Sequence, residues 1–173
     1  MSVLSKKIKT AKDLEKFKKS DINKDIKNFI SDISKHLIDK AQIKESEYSN
    51  ILMNVLNDLN NWIDEIPPMK MEMRYGNKSF RNWHQKLENE FDNLFSNFAS
   101  KSHFLELKGY FNGSFGNPIR LDYGTGHEFC FFLFLLCCYR LKIFSEDDFS
   151  CLALSIFPLF LICSRLNFKI GKW

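Results

Sequence analysis

The residues best suited to chemistry lie in Asp122-Tyr123-Gly124-Thr125-Gly126-His127-Glu128, with Arg120 two positions upstream of Asp122. Two glycines flank a threonine immediately before a long apolar run. The first N–H groups of a helix have no internal partners, and the macrodipole is positive at that end. An anion placed there is stabilised, and glycine lets it approach the backbone closely. Arg120 adds a planar fork of donors that fits phosphate or carboxylate. The same spacing also fits a capping box, in which Thr125 accepts the Glu128 N–H and Glu128 reaches back. The glycine spacing matches neither a P-loop nor a dinucleotide fingerprint, and no strand pattern precedes it. His127 has no second histidine or acid arranged by sequence to make it a general base, so a helix-end role fits it better than a catalytic one.

These residues must be positioned by helices. Ile26, Phe29, Ile30, Ile33 and Leu37 recur at spacings of three and four, which predicts an amphipathic helix from about Asp25. Ile51, Leu52, Val55, Leu56, Leu59, Trp62 and Ile63 predict a second, stopped at Ile66-Pro67-Pro68, where tandem proline removes donors and disfavours helix before it. A third begins near Lys78 and carries Phe80, Trp83, Leu87, Phe91, Leu94, Phe95 and Phe98 on one side. Residues 102–110 predict a short helix. Asn112-Gly113-Ser114-Phe115-Gly116-Asn117-Pro118 is too dense in turn formers to continue it. Helix resumes at Gly126 and runs to about Ile143. A Ser-Glu-Asp-Asp turn then caps a last helix from about Asp147 to Leu166, which Pro158 should kink. No alternating strand pattern and no repeat of 20–50 residues is present, so the expected fold is all-α, a single multi-helix domain over 1–173 with an aromatic core fed by 18 phenylalanines.

Composition narrows the function classes. The net charge of +4 is concentrated at the start, in Lys6, Lys7, Lys9, Lys12, Lys16, Lys18 and Lys19. That stretch lacks the arginines and interleaved aromatics of a base-reading surface, so it reads as a solvated helix face and no nucleic-acid partner is expected. The apolar runs 129–139 and 151–163 are shorter than the about 20 residues a membrane span needs, and charged residues close both. They read as a buried helix pair, with no membrane partner. Five cysteines, none in a Cys-x-x-Cys pair, all fall in apolar stretches. They read as reduced core residues, and no metal site is expected. Residues 1–10 lack the apolar core of a signal peptide, which points to a cytoplasmic protein.

The stretch Ser114-Phe115-Gly116-Asn117-Pro118-Ile119-Arg120-Leu121-Asp122-Tyr123-Gly124-Thr125-Gly126-His127-Glu128 resembles the signature of the phosphotyrosyl phosphatase activators, the prolyl isomerases that activate protein phosphatase 2A. Trp62-Ile63-Asp64-Glu65-Ile66-Pro67-Pro68, followed by Arg74-Tyr75-Gly76-Asn77-Lys78-Ser79-Phe80-Arg81-Asn82-Trp83, is similar to two further family segments in the same order. The resemblance covers about residues 6–168 and is strongest over 62–128. It implies an all-α fold, an ATP pocket, and an apolar face that meets the phosphatase catalytic subunit and a proline-containing peptide. It implies nucleotide contact for Arg120, Thr125 and Gly126, with Asp122, Gly124, His127 and Glu128 supporting the loop. Arg74, Gly76, Asn77 and Lys78 match a segment read as structural, a turn into the third helix. Magnesium, where it accompanies ATP, would take ligands from outside this chain, and the nucleus joins the cytoplasm as a location. No catalytic residue follows, because prolyl isomerisation needs no nucleophile, metal or acid–base pair. Family members are longer, continuing past the position of Gly171-Lys172-Trp173 into a Trp-Gly-acidic segment and further helices. The chain is thus expected to carry the N-terminal part of the fold and one wall of the pocket, and to self-associate through apolar surface on 151–163.

Overall fold

A computed structural model describes residues 7–38, 42–69, 78–98 and 102–170, with side chains to 166. The described residues contain eight α-helices: α1 Ala11–Lys18, α2 Asp21–Ile38, α3 Glu47–Glu65, α4 Lys78–Leu94, α5 Phe104–Gly113, α6 Thr125–Arg140, α7 Phe149–Cys151 and α8 Phe157–Ile170. Among these residues there is no strand, only an isolated bridge between Asn117 and Asp122.

Helix starts follow local chemistry. Thr10 Oγ1 accepts the Asp13 N–H at 3.2 Å while the Asp13 carboxylate accepts the Thr10 N–H at 3.0 Å, a reciprocal cap for α1. The hydroxyl and amide donors of Thr10 and Lys9 hold the Asp13 carboxyl below its ordinary pKa. Ser46 and Ser49 cap α3 in the same reciprocal way, at 3.1 and 2.7 Å. The helix ends before Pro67-Pro68, as the tandem proline requires. Among the described residues of the lysine-rich start, α1 is a solvated helix that buries none of its residues.

The core is aromatic and links the last helices to the middle ones. Phe131 on α6 stacks on Phe160 of α8 with centroids 3.9 Å apart and planes 4° from parallel, and both are fully buried. Trp83 on α4 donates its indole N–H to the Leu59 carbonyl at 3.2 Å, satisfying the only polar atom of a buried ring and pinning α4 to α3. Phe95 and Phe98, just past the end of α4, complete its apolar side as the periodicity predicts.

Several boundaries differ from expectation. The helix expected over 102–110 lies at Phe104–Gly113, so Asn112 and Gly113 extend it by almost a turn. α6 ends at Arg140 rather than near Ile143, where Lys142 takes a left-handed φ of 59°. Asp147 lies in a 3-10 turn at Glu146–Asp148, in which the Asp148 carboxylate accepts the Ser145 N–H at 2.8 Å. In place of a simple kink, a π-turn at Leu152–Ile156 ends two residues before Pro158. Proline removes a donor and crowds the carbonyl four residues back, and a widened turn relieves both effects. The helical run therefore continues over Glu146–Leu166, by length and composition enough to cross a membrane, and longer than the apolar stretch suggested. Cys151, Leu152, Ile156, Phe160 and Cys163 along it are buried against the rest of the domain. Arg74, Gly76 and Asn77 lie outside the described residues.

Candidate functional site

The loop from Ser114 to Gly124 is folded on itself before it delivers the chain to α6. The Asn117 side-chain oxygen accepts the N–H groups of Ile119 and Arg120, each at 2.9 Å. The Asn117 N–H donates to the Asp122 carbonyl at 2.9 Å, and the Leu121 N–H to the Asn117 carbonyl at 2.8 Å. Leu121 takes a left-handed φ of 56°, a strained state for a branched residue that these bonds hold in place. Gly116 has φ +102°, and a Cβ there would stand 2.8 Å from the Asp122 carbonyl oxygen and 3.1 Å from the Phe80 ring. Only glycine fits that position.

α4 anchors the loop from below. Arg81 Nε donates to the Pro118 carbonyl at 3.0 Å. His84 Nε2 lies 3.1 Å from the Phe115 carbonyl, which can only accept, so Nε2 carries the proton. Burial pushes the His84 pKa down to about 4; the bond to Phe115 opposes that shift and the charge of His127 adds to it. His84 is therefore a neutral structural donor.

Arg120 and Asp122 form a fork, with Nε and Nη2 donating to the carboxylate at 2.6 and 3.3 Å. Each holds the other charged, raising the Arg120 pKa and lowering that of Asp122, and both side chains are exposed. His127 Nδ1 donates to the Gly113 carbonyl at 2.6 Å, while Nε2 faces Asp122 at 3.5 Å. The Tyr123 ring stacks on that imidazole with planes 15° apart.

At the start of α6 the expected capping box is absent. Gly124 is the N-cap, with extended backbone, and Thr125 is the first helical residue with no side-chain cap bond. The Gly124 carbonyl accepts the N–H groups of His127 and Glu128, at 2.8 and 3.3 Å. Glu128 instead turns toward α8, accepting from Arg165 Nη2 at 3.2 Å and from the Tyr123 hydroxyl at 3.4 Å. Thr125 and Gly126 thus begin the helix without a side-chain partner, and both residues are exposed. A Cβ at Gly124 or Gly126 would meet nothing within 4 Å. The structure thus joins Arg120 to Asp122 and Asp122 to His127, leaves Gly124, Thr125 and Gly126 exposed, and turns Glu128 to other partners. It adds Tyr123, Ser164 and Arg165, whose roles depend on tertiary contacts that no local spacing encodes.

An all-helical domain with a glycine-framed, uncapped helix start beside an arginine is the class that fold and site define. The family model described as phosphotyrosyl phosphate activator (PTPA) protein matches residues 4–168, and the chain belongs to that family. The probable serine/threonine-protein phosphatase 2A activator 1 of Dictyostelium discoideum is 33% identical over 155 residues, covering 86% of this chain and 48% of that protein. Serine/threonine-protein phosphatase 2A activator 1 of Kluyveromyces lactis is 40% identical over 104 residues, covering 58% and 30%. The crystal structure of the PP2A phosphatase activator Ypa1 superposes with a TM-score of 0.71 at 29% identity, covering 84% of this chain and 49% of that one. The chain thus spans less than half the length of each of these relatives.

Proposed function

We propose that this chain supplies the nucleotide-contacting part of a peptidyl-prolyl cis–trans isomerase that acts on and activates the protein phosphatase 2A catalytic subunit with the help of ATP, in the cytoplasm and nucleus. The observation that carries the reading is family membership across residues 4–168, joined to the uncapped start of α6. A triphosphate suits that start, because Thr125 and Gly126 begin the helix without a cap and nothing crowds Gly126. Arg120 offers a guanidinium there, at the cost of sharing or leaving Asp122. Asp122, Gly124, His127 and Glu128 shape the loop. Bound ATP would supply free energy that stabilises one arrangement of this loop, and accompanying magnesium would be carried chiefly by the phosphates.

Rotation about a prolyl peptide bond is opposed by amide conjugation, a barrier of about 18–20 kcal/mol. A surface that binds the twisted amide better than the planar one lowers that barrier without any covalent step. Exposed apolar side chains such as Phe129, Leu154 and Ile162 offer dry contact for a proline-containing segment. A second reading is a phosphatase-binding module without turnover, since the names of the relatives speak of phosphatase activation and of no isomerase activity. A proline-peptide isomerisation assay with and without ATP and phosphatase catalytic subunit separates the two. Rate enhancement supports the isomerase. Co-purification at the uncatalysed rate supports the binding module, and the absence of both co-purification and rate enhancement refutes both readings.

A further inference from the structure

Two consecutive residues of α8 grip both flanks of the first turn of α6. Ser164 Oγ lies 2.8 Å from the Tyr123 hydroxyl, just before that turn, and Arg165 Nη2 donates to Glu128 Oε1 at 3.2 Å, at its far side. The Tyr123 hydroxyl also reaches Glu128 at 3.4 Å, so three polar contacts tie Tyr123 and Glu128, which flank residues 124–127 in sequence, to each other and to α8. Ser164 is fully buried, and its hydroxyl has two partners, the Tyr123 hydroxyl at 2.8 Å and the more distant Leu161 carbonyl of its own helix at 3.3 Å. Burial is also what raises the Tyr123 phenol pKa. The Arg120–Asp122 fork, by contrast, joins two residues of the loop itself and cannot fix the loop against the core.

We propose that Arg165, together with Ser164, is a positioning element for the nucleotide site, a clamp through which α8 sets the orientation of the Thr125 and Gly126 N–H groups. This rests on the nucleotide reading above. Arg165 acts through Glu128 and needs no contact with the ligand. A single-point donor suffices for that task, so lysine can replace it. A clamp that orients without carrying the core changes affinity more than stability.

The test uses ATP as the probe in calorimetric titration of the purified chain, with R165Q, R165K, S164A and the R165Q/S164A pair, alongside thermal melting of each. An exposed ion pair of this kind is worth about a 2- to 5-fold change. R165Q is expected to weaken ATP by that factor, R165K to retain wild-type affinity, and the double variant to be weakest. R165Q should keep its Tm within about 4 °C. Wild-type affinity in R165Q and S164A, while an Arg120 variant loses binding, would overturn the clamp and leave the nucleotide reading standing. No ATP binding by the wild-type chain would overturn both. Weakening in R165Q that tracks a collapse in Tm, with no rescue by lysine, would reduce Arg165 to a stability residue and also overturn the clamp.

Discussion

Replacing Gly116 with alanine attacks the loop at the point where its geometry is least tolerant. At φ +102° an L side chain is strained by about 1–2 kcal/mol. The new Cβ would lie 2.8 Å from the Asp122 carbonyl oxygen, closer than real Cβ contacts come. Relief requires Asp122 to move away, and that movement breaks the bond it accepts from the Asn117 N–H at 2.9 Å, worth about 1 kcal/mol. The Phe80 ring at 3.1 Å is buried and cannot retreat freely. The combined cost is about 3 kcal/mol, which for a chain of this size lowers Tm by about 6–12 °C. Differential scanning calorimetry of wild type and G116A measures it directly. G124A is the control, because its backbone is extended and nothing lies within 4 Å of a Cβ there. A G116A melt within 1 °C of wild type would refute the account of the loop as a strained, hydrogen-bonded unit.

Gly126 lies inside α6 with open space around it, so G126A should raise helix stability by about 0.5–1 kcal/mol while weakening ATP, a split that thermal melting and titration together detect. His84 has a folded pKa of about 4 against an ordinary value of 6.5. The unfolded chain therefore binds its proton first, and stability falls as pH drops from about 6.5 to 4, by about 3 kcal/mol in total. Urea midpoints across that window should slope downward with falling pH in wild type and flatten in H84Q; equal slopes would remove His84 from the explanation. The outer side of the last helical run leaves Leu154 and Ile162 more than half exposed, at 51% and 55%. Sedimentation velocity should show concentration-dependent self-association that L154S/I162S reduces, whereas a monodisperse, cooperatively melting wild-type monomer would contradict it.

The helical architecture was legible because its signals are periodic and local. Leu52, Val55, Leu56, Leu59, Trp62 and Ile63 mark the buried side of α3 by spacing alone, and Pro67-Pro68 marks its end. The site was legible in its membership and not in its wiring. Thr125 and Glu128 have the spacing of a capping box, yet Arg165 and Tyr123 compete successfully for the Glu128 carboxylate. Glu128 and Arg165 are separated by 37 residues, so sequence spacing cannot register that competition. His84 and Arg81 as loop anchors were hidden for the same reason, since their partners are backbone carbonyls of Phe115 and Pro118. The π-turn before Pro158 was half visible, in that the proline announces an irregularity and leaves its form to the packing around it.

The most direct test of the central claim is the activity of an inactive protein phosphatase 2A catalytic subunit after incubation with this chain, with and without ATP. Recovery of phosphatase activity should depend on both the chain and ATP and be lost in variants of Arg120 and Thr125. Recovery that is absent, or unchanged by ATP and by those substitutions, would contradict it.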